Sequence, residues 1–257
     1  MMQQYRAKKS LGQNFLKSEP ALRKIIEAGE INTDDVILEI GPGKGALTGK
    51  LLEKAGQVIA VEKDRELFEF LKEKFKEQIA SGALVLENSD ILEYRIKNLE
   101  IPSYKIIANI PYNITGAILK KFLTESHQPE RMVLLVQHEV AQRIVARDGK
   151  ESILSISVKA YGEPKLVTKV PARYFSPAPK VDSAVISIKN ISRKAFIQGK
   201  VDEGKFWQIV KAGFAHKRKK LSGNLKNLIS AQNLEEFKDK RAENLKLSEW
   251  LALSSSY

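Results

Sequence analysis

"VILEIGPGKGALTGKLLEKAGQVIAVE", Val36 to Glu62, is the stretch whose reading decides the fold. Val36 to Ile40 is an apolar, β-branched run of strand length, and Gly41, Gly43 and Gly45 punctuate its end. "ALTGKLLEKAG" then carries apolar residues at helical spacing and closes on Gly56, and "QVIAVE" starts a second strand at once. Strand, glycine turn, helix and strand in immediate succession read as one parallel β-α-β unit.

The same rhythm extends both ways. Upstream, "SEPALRKIIEAGEI" reads as a helix with Ser18 as N-cap, Pro20 in the first turn, and Leu22, Ile25 and Ile26 on one face. Downstream, helical "DRELFEFLKEKFKEQI" leads to the strand "ALVLEN". The strand "KIIAN" precedes helical "ILKKFLTES", and "RMVLLVQ" reads as a strand before helical "HEVAQRIVA". Alternation of this kind predicts an α/β, Rossmann-like sheet covered by helices on both faces. Beyond Ala146 the rhythm changes. "SILSISVKAYG" and "SAVISIKN" both look strand-like with no long helix between them, which predicts an antiparallel pair at the sheet edge. After Asn190 the pattern is only helical. The expected organisation is a large α/β domain over 1–190 and a small all-helical domain over 191–257.

Composition bounds the function. Nowhere do eighteen apolar residues run together, and "MMQQYRAKKS" has no apolar core after its charges, so a cytoplasmic protein is expected, with neither membrane span nor secretion signal. The chain has no cysteine and three scattered histidines, His127, His138 and His216, so no metal is expected. Its net charge of +12 favours a polyanionic partner. The excess is uneven, since residues 193–257 alone carry +7. The densest run, "HKRKK", makes Lys217, Arg218, Lys219 and Lys220 candidate contacts for nucleic acid or an anionic membrane, the alternative being the solvated face of a helix.

In such a sheet a ligand sits beyond the carboxyl ends of the strands, where glycine lets backbone approach closely. The spacing Gly41, Gly43, Gly45 fits an S-adenosylmethionine turn, yet Gly41, Gly43 and Ala46 also satisfy a dinucleotide pattern. Glu62, ending the next strand, is placed to accept hydrogen bonds from ribose hydroxyls, and either cofactor has that ribose. Asp90, after the third strand, is placed for the amine of an adenine ring. The fourth strand ends on Asn109, a further candidate contact for the cofactor.

"GQNFL" (12–16), "EIGPGKGALT" (39–48), "VEKD" (61–64), "NSDIL" (88–92), "ANIPYNIT" (108–115), "LVQHEVAQRI" (135–144) and "FSPAPKVDSAV" (175–185) occur in the order and spacing of the ribosomal RNA adenine N6-dimethyltransferases. The chain resembles that family over nearly its whole length, and most closely its bacterial small-subunit members. The resemblance implies S-adenosyl-L-methionine as cofactor. It further implies methylation at N6 of two adjacent adenosines near the 3′ end of small-subunit ribosomal RNA within a pre-ribosomal subunit, by a monomer.

For the site, the resemblance places Asn14 and Leu16 over the cofactor's methionine and adenosine, Gly41 at its amino acid end, Glu62 on its ribose and Asp90 on its adenine. Asn109 and the Ile110 or Pro111 carbonyl would accept from the target amine, and Tyr112 and Phe175 would sandwich the base. Arg6, Lys8, Lys9 and Lys17 flank "GQNFL" as further candidates for phosphate contact. Two departures from the family pattern stand out: His138 replaces a usual lysine, and "GFAHKRKKLSGNL" differs from the usual GFxxRRKTL. The rival readings are a large-subunit adenine methylase, a non-catalytic RNA-binding assembly factor and a dehydrogenase.

Overall fold

Val36–Ile40 and Gln57–Glu62 are parallel neighbours in the computed structural model, with Ile37 beside Val58 and Ile40 beside Val61, and the helix Ala46–Leu52 crosses between them. The structure describes residues 5–96 and 101–255, without the side chain of Lys9. In chain order the elements begin with β1 (Phe15–Leu16), α1 (Glu19–Gly29), β2 (Val36–Ile40), α2 (Ala46–Leu52), β3 (Gln57–Glu62), α3 (Arg65–Lys74) and α4 (Lys76–Ala80). Next come β4 (Leu84–Asn88), β5 (Lys105–Asn109), α5 (Thr115–Thr124), β6 (Arg131–Gln137), α6 (His138–Val145) and α7 (Ile153–Lys159). The chain continues through β7 (Glu163–Val170), β8 (Phe175–Ser176), β9 (Ser183–Lys189), α8 (Lys194–Gly199) and α9 (Glu203–Gly213), and ends with α10 (Leu221–Leu225), α11 (Ala231–Leu234) and α12 (Leu247–Ser255).

Seven strands form one sheet in the order β4-β3-β2-β5-β6-β9-β7, parallel from β4 to β6, with β9 antiparallel to β6. Residues are buried along the whole of β6 except its ends, so both faces of the central strands are covered. That is the expected α/β class. Ser18 caps α1, its side chain accepting the Ala21 N–H, and Leu22 and Ile25 are buried against Ile107 and Val133 of the sheet core. Burial of each such side chain contributes about 1.5–3 kcal/mol.

Three expectations change. "SILSISVKAYG" is not a strand, because 153–159 is helical. Ser152 is its N-cap and Ser155 its N3 residue, each side chain bonded to the other's backbone N–H, so these two serines form a capping box. The edge neighbour of β9 is instead β7. Secondly, the helix read over "DRELFEFLKEKFKEQI" breaks at Phe75, whose φ of −113° and ψ of 28° leave the helical region while its ring packs against Gly45. Thirdly, "HKRKK" lies in a turn between α9 and α10. The His216 carbonyl there accepts the Lys219 N–H, and Asn224 Nδ2 donates to the carbonyls of Gly213 and His216.

The chain divides into two compact units. One comprises the chain to Ala141 with Lys165–Lys189, and the other comprises Gln142–Pro164 with the chain from Asn190. The second is helical, centred on Trp250, Phe206, Leu221 and Leu225. Gly213 allows the Trp250 ring so close that a Cβ there would lie 2.4 Å from it.

Candidate cofactor and base site

A cavity of about 550 Å³ opens beyond the carboxyl ends of the parallel strands. Its walls include the arm from Ser10 to Lys17, the turn after β2, Glu62 at the end of β3 with Lys63, Ser89 to Leu92 after β4, and Asn109 at the end of β5 with Ile110 to Ile114. Four of these segments meet there because parallel strands all deliver their carboxyl ends to one edge, and the arm joins them through the pairing of β1 with β8.

The three glycines do different work. Gly41 adopts a φ of 63° and donates its N–H to the Val61 carbonyl at 2.9 Å. A Cβ on it would meet nothing, so backbone conformation is what calls for glycine there. Gly43 donates to Glu62 Oε2 at 3.1 Å, and a Cβ on it would strike the Phe15 ring. Gly45 is not on the cavity wall. A Cβ there would lie 2.5 Å from the Phe75 ring and 2.9 Å from Leu71, so it serves the packing of α2 on α3 and not ligand approach.

Glu62 is 5% exposed, and both its oxygens are held by backbone: Oε2 by Gly43 and Oε1 by the Asp64 N–H at 2.8 Å. Burial raises its pKa, and these two N–H groups oppose the shift. Each oxygen keeps a lone pair for a ribose hydroxyl. Asp90 accepts the Leu92 N–H on Oδ1 and pairs with Lys63 Nζ at 2.7 Å on Oδ2, which holds its carboxyl below the usual range.

Glu39, an acid on β2 just before the glycine turn, is a further site residue outside the sequence-based expectations, and its place before that turn is the signal for it. It lines the cavity, is 1% exposed, and its Oε2 has no hydrogen-bond partner among the described residues. Burial pushes this carboxyl up to about 8, and the nearby Glu62 charge adds to the shift.

At the end of β5, Asn109 Nδ2 donates to the Asn14 carbonyl at 3.1 Å, and Oδ1 accepts no bond from the described residues. Ile110 buries its side chain. The Pro111 carbonyl is taken by the Ile114 N–H at 3.3 Å, closing the short turn Tyr112–Ile114, whereas the Ile110 carbonyl accepts nothing within the described residues. Of the two carbonyls considered from sequence, Ile110's is the available one. Tyr112 is half-buried on the wall with its hydroxyl 2.5 Å from Ser183 Oγ, and burial raises its pKa, which keeps the phenol neutral.

Phe175 is placed otherwise than a sandwich requires. It is 3% exposed and belongs to the core with Leu16, Val170 and Val185, while its neighbour Ser176 faces the cavity. β8 pairs with β1, Leu16 opposite Phe175, and alternation along a strand sends the ring inward. Asn14 and Leu16 both line the cavity.

In the second unit Lys217, Arg218 and Lys219 are exposed with no acidic partner among the described residues, and Lys220 pairs with Asp239 at 2.6 Å. The described residues contain no cluster of three His, Cys, Asp or Glu placed to hold a metal, and no helix long and apolar enough to cross a membrane.

The donor set suits S-adenosylmethionine. Glu62 offers paired acceptors for a ribose and Asp90 an acceptor for an adenine amine. Glu39 leaves an orphaned carboxyl oxygen on the wall of a cavity that a cationic cofactor would enter.

Comparison with known proteins agrees. The family described as ribosomal RNA adenine dimethylase matches residues 4–257. The chain is 41% identical to the ribosomal RNA small subunit methyltransferase A of Dehalococcoides mccartyi strain CBDB1, over 100% of this chain and 91% of that one. With the enzyme of the same name from Fusobacterium nucleatum it shares 38% over 97% of each. Among solved structures it is similar to a dimethyladenosine transferase from Plasmodium falciparum, with a TM-score of 0.79, 27% identity, and 93% and 95% of the two chains covered. It is also similar to the 23S rRNA methyltransferase ErmE, with a TM-score of 0.77, 25% identity, and 93% and 98% covered.

Proposed function

The chain belongs to the ribosomal RNA adenine dimethylase family, and on that premise we propose that it methylates N6 of two adjacent adenosines near the 3′ end of small-subunit ribosomal RNA. It is an S-adenosylmethionine-dependent rRNA adenine dimethyltransferase. The target in our reading is RNA within a pre-ribosomal subunit, met in the cytoplasm by a monomer.

S-adenosylmethionine supplies a methyl group already activated on a sulfonium, so the protein's work is alignment and adjustment of the amine. An adenine N6 lone pair is delocalised into the ring, and an acceptor on each N–H favours the pyramidal nitrogen that attacks. Asn109 Oδ1 and the Ile110 carbonyl are the two acceptors, one strand end apart. The Tyr112 ring supports the extruded base, a stacking contact worth roughly 1–3 kcal/mol and comparable to the cost of unstacking it. Phe175 acts from the core, holding β8 and so the arm in place. The alkylated nitrogen is cationic, and its acidic proton leaves to solvent.

Around the cofactor, Gly41 and Gly43 give the backbone close approach, Glu62 takes the ribose hydroxyls, Asp90 takes the adenine amine, and Asn14 and Leu16 close the arm side. Lys217, Arg218 and Lys219 supply RNA attraction, with Lys220 contributing less because it is paired. The observation that carries the reading is Asn109, its Nδ2 tied to Asn14 and its Oδ1 open at the edge of the cavity.

The likeness to ErmE favours a second reading, methylation of large-subunit RNA. Incubation with labelled S-adenosylmethionine and undermethylated small and large subunits, followed by mapping of the labelled base, separates the two. Label on adjacent adenosines of the small-subunit RNA is expected. Label confined to the large subunit overturns the target.

A further inference from the structure

The arm that walls the cavity from Ser10 to Lys17 is fastened at both ends. Its downstream end pairs with β8 and donates the Lys17 N–H to the Tyr174 carbonyl at 2.8 Å. Its upstream end closes on one carboxylate. Asp64, 3% exposed, caps α3 by accepting the Glu66 N–H at 3.0 Å. Three arm side chains converge on the same group: Lys8 Nζ reaches Oδ1 at 2.9 Å, while the Tyr5 hydroxyl and Gln13 Nε2 reach Oδ2 at 2.5 and 3.0 Å. Gln13 Oε1 accepts the Lys8 N–H at 2.7 Å, which ties the clasp together. A helix cap needs one N–H, and the other three donors serve the arm alone.

Asn14, the residue after Gln13, lies between the two fastenings, and its carbonyl accepts Asn109 Nδ2. That bond decides which way the Asn109 amide faces. The two ends of an amide are nearly equal in shape, and only the oxygen accepts a hydrogen bond. With no acceptor holding Nδ2, the amide turns over and presents N–H to the target's N–H.

We propose that Asp64 is a positioning residue of the methyl transfer, clasping Tyr5, Lys8 and Gln13 so that the Asn14 carbonyl holds Asn109 Oδ1 toward the target amine. The proposal rests on the reading of Asn109 as an acceptor for that amine. The same clasp keeps the arm wall of the cavity closed.

Two variants of the full chain test it. Asp64→Asn keeps a good helix cap and removes one of the two carboxylates that Lys8 meets, Glu66 Oε1 remaining at 2.9 Å, and Tyr5→Phe removes one hydroxyl. Four quantities are read in each: Tm, affinity for S-adenosylhomocysteine, trypsin cleavage within the arm with and without that ligand, and kcat and KM on undermethylated small subunits. In Asp64→Asn, Tm near the parent value, arm cleavage several-fold faster, and kcat lower by roughly tenfold at unchanged RNA KM are expected. Tyr5→Phe should fall between. Unchanged arm cleavage in both variants overturns the clasp, and an opened arm with parental kcat overturns the positioning role. Arm cleavage needs no RNA, so a mistaken RNA target shows itself differently, as a parent chain that methylates no small subunit while its arm stays protected.

Discussion

Two turns of this chain carry opposite kinds of functional residue. Between Asn109 and Tyr112 the polar groups around the two open acceptors, Asn109 Oδ1 and the Ile110 carbonyl, have set partners: Nδ2 on the Asn14 carbonyl, the Pro111 carbonyl on the Ile114 N–H, and the Tyr112 hydroxyl beside Ser183. Between His216 and Lys220 the backbone closes on itself, but three of the four basic side chains end in solvent. The first turn places atoms and the second places charge. Hydrogen-bonded geometry is lost within about an ångström, whereas a charge acts over a Debye length of about 8 Å at physiological salt. One altered residue should therefore silence the first turn, and only grade the second.

Asn109→Ala is the strongest attempt to break that contrast. It removes one of two acceptors on the amine, and by analogy with the loss of a single oxyanion donor kcat should fall by roughly 10²–10³-fold. Affinity for S-adenosylhomocysteine and for RNA should stay within a few-fold. Steady-state turnover with binding calorimetry reads both, and near-parental turnover would mean that the first turn does not act by placing atoms.

Phe175 asks how far atom placement extends into the core. Phe175→Ala should destabilise the fold by about 3–5 kcal/mol, read from denaturant midpoints, because a buried ring leaves a cavity. Phe175→Leu should recover most of that and most of the turnover. A Leu variant with parental stability but RNA affinity down several-fold would instead put the ring on the base.

This residue also marks where sequence reading stops. The course from Val36 to Glu62 was legible because glycine conformation and apolar period are local, and β6 came out over the stretch expected. Which way Phe175 faces depends on a two-residue strand paired with Leu16, far upstream. Gly41 and Gly45 look alike in spacing, and only the approach of Phe75 makes Gly45 a packing residue. At 153–159 the alternation of Ile, Leu, Ser, Ile, Ser and Val imitates a strand, and the capping role of Ser152 and Ser155 outweighs it. The clasp on Asp64 joins Gln13 of "GQNFL" to Tyr5 and Lys8, which lie outside the quoted motifs, and no spacing links these three positions to residue 64.

For the second turn, replacing Lys217, Arg218 and Lys219 together by Ala should weaken RNA binding in a graded way. The slope of log affinity against log salt should become shallower by about 0.7–0.9 for each phosphate no longer neutralised, with kcat at saturating RNA retained. Adding Lys220→Ala should change little more, since that ammonium already meets Asp239. An unchanged slope in the triple variant assigns the turn to solvation, and collapse of kcat would make it a second atom-placing region.

The smallest effect sharpens the contrast from beneath the glycine turn. Burial pushes the Glu39 carboxyl up to about 8, from an ordinary value of 4.5 in the unfolded chain. Between those values the folded state keeps a proton that the unfolded state has released, so stability falls as pH rises through this window. Glu62 shifts in the same direction from burial, so Glu39 accounts for part of the slope. Glu39→Gln keeps the shape and cannot ionise. Its Tm should match the parent near about pH 5 and exceed it progressively towards about pH 8. Parallel melting curves across that range would mean that Glu39 is charged in the fold, its burial compensated by neighbours as completely as the amide of Asn109 is held by Asn14.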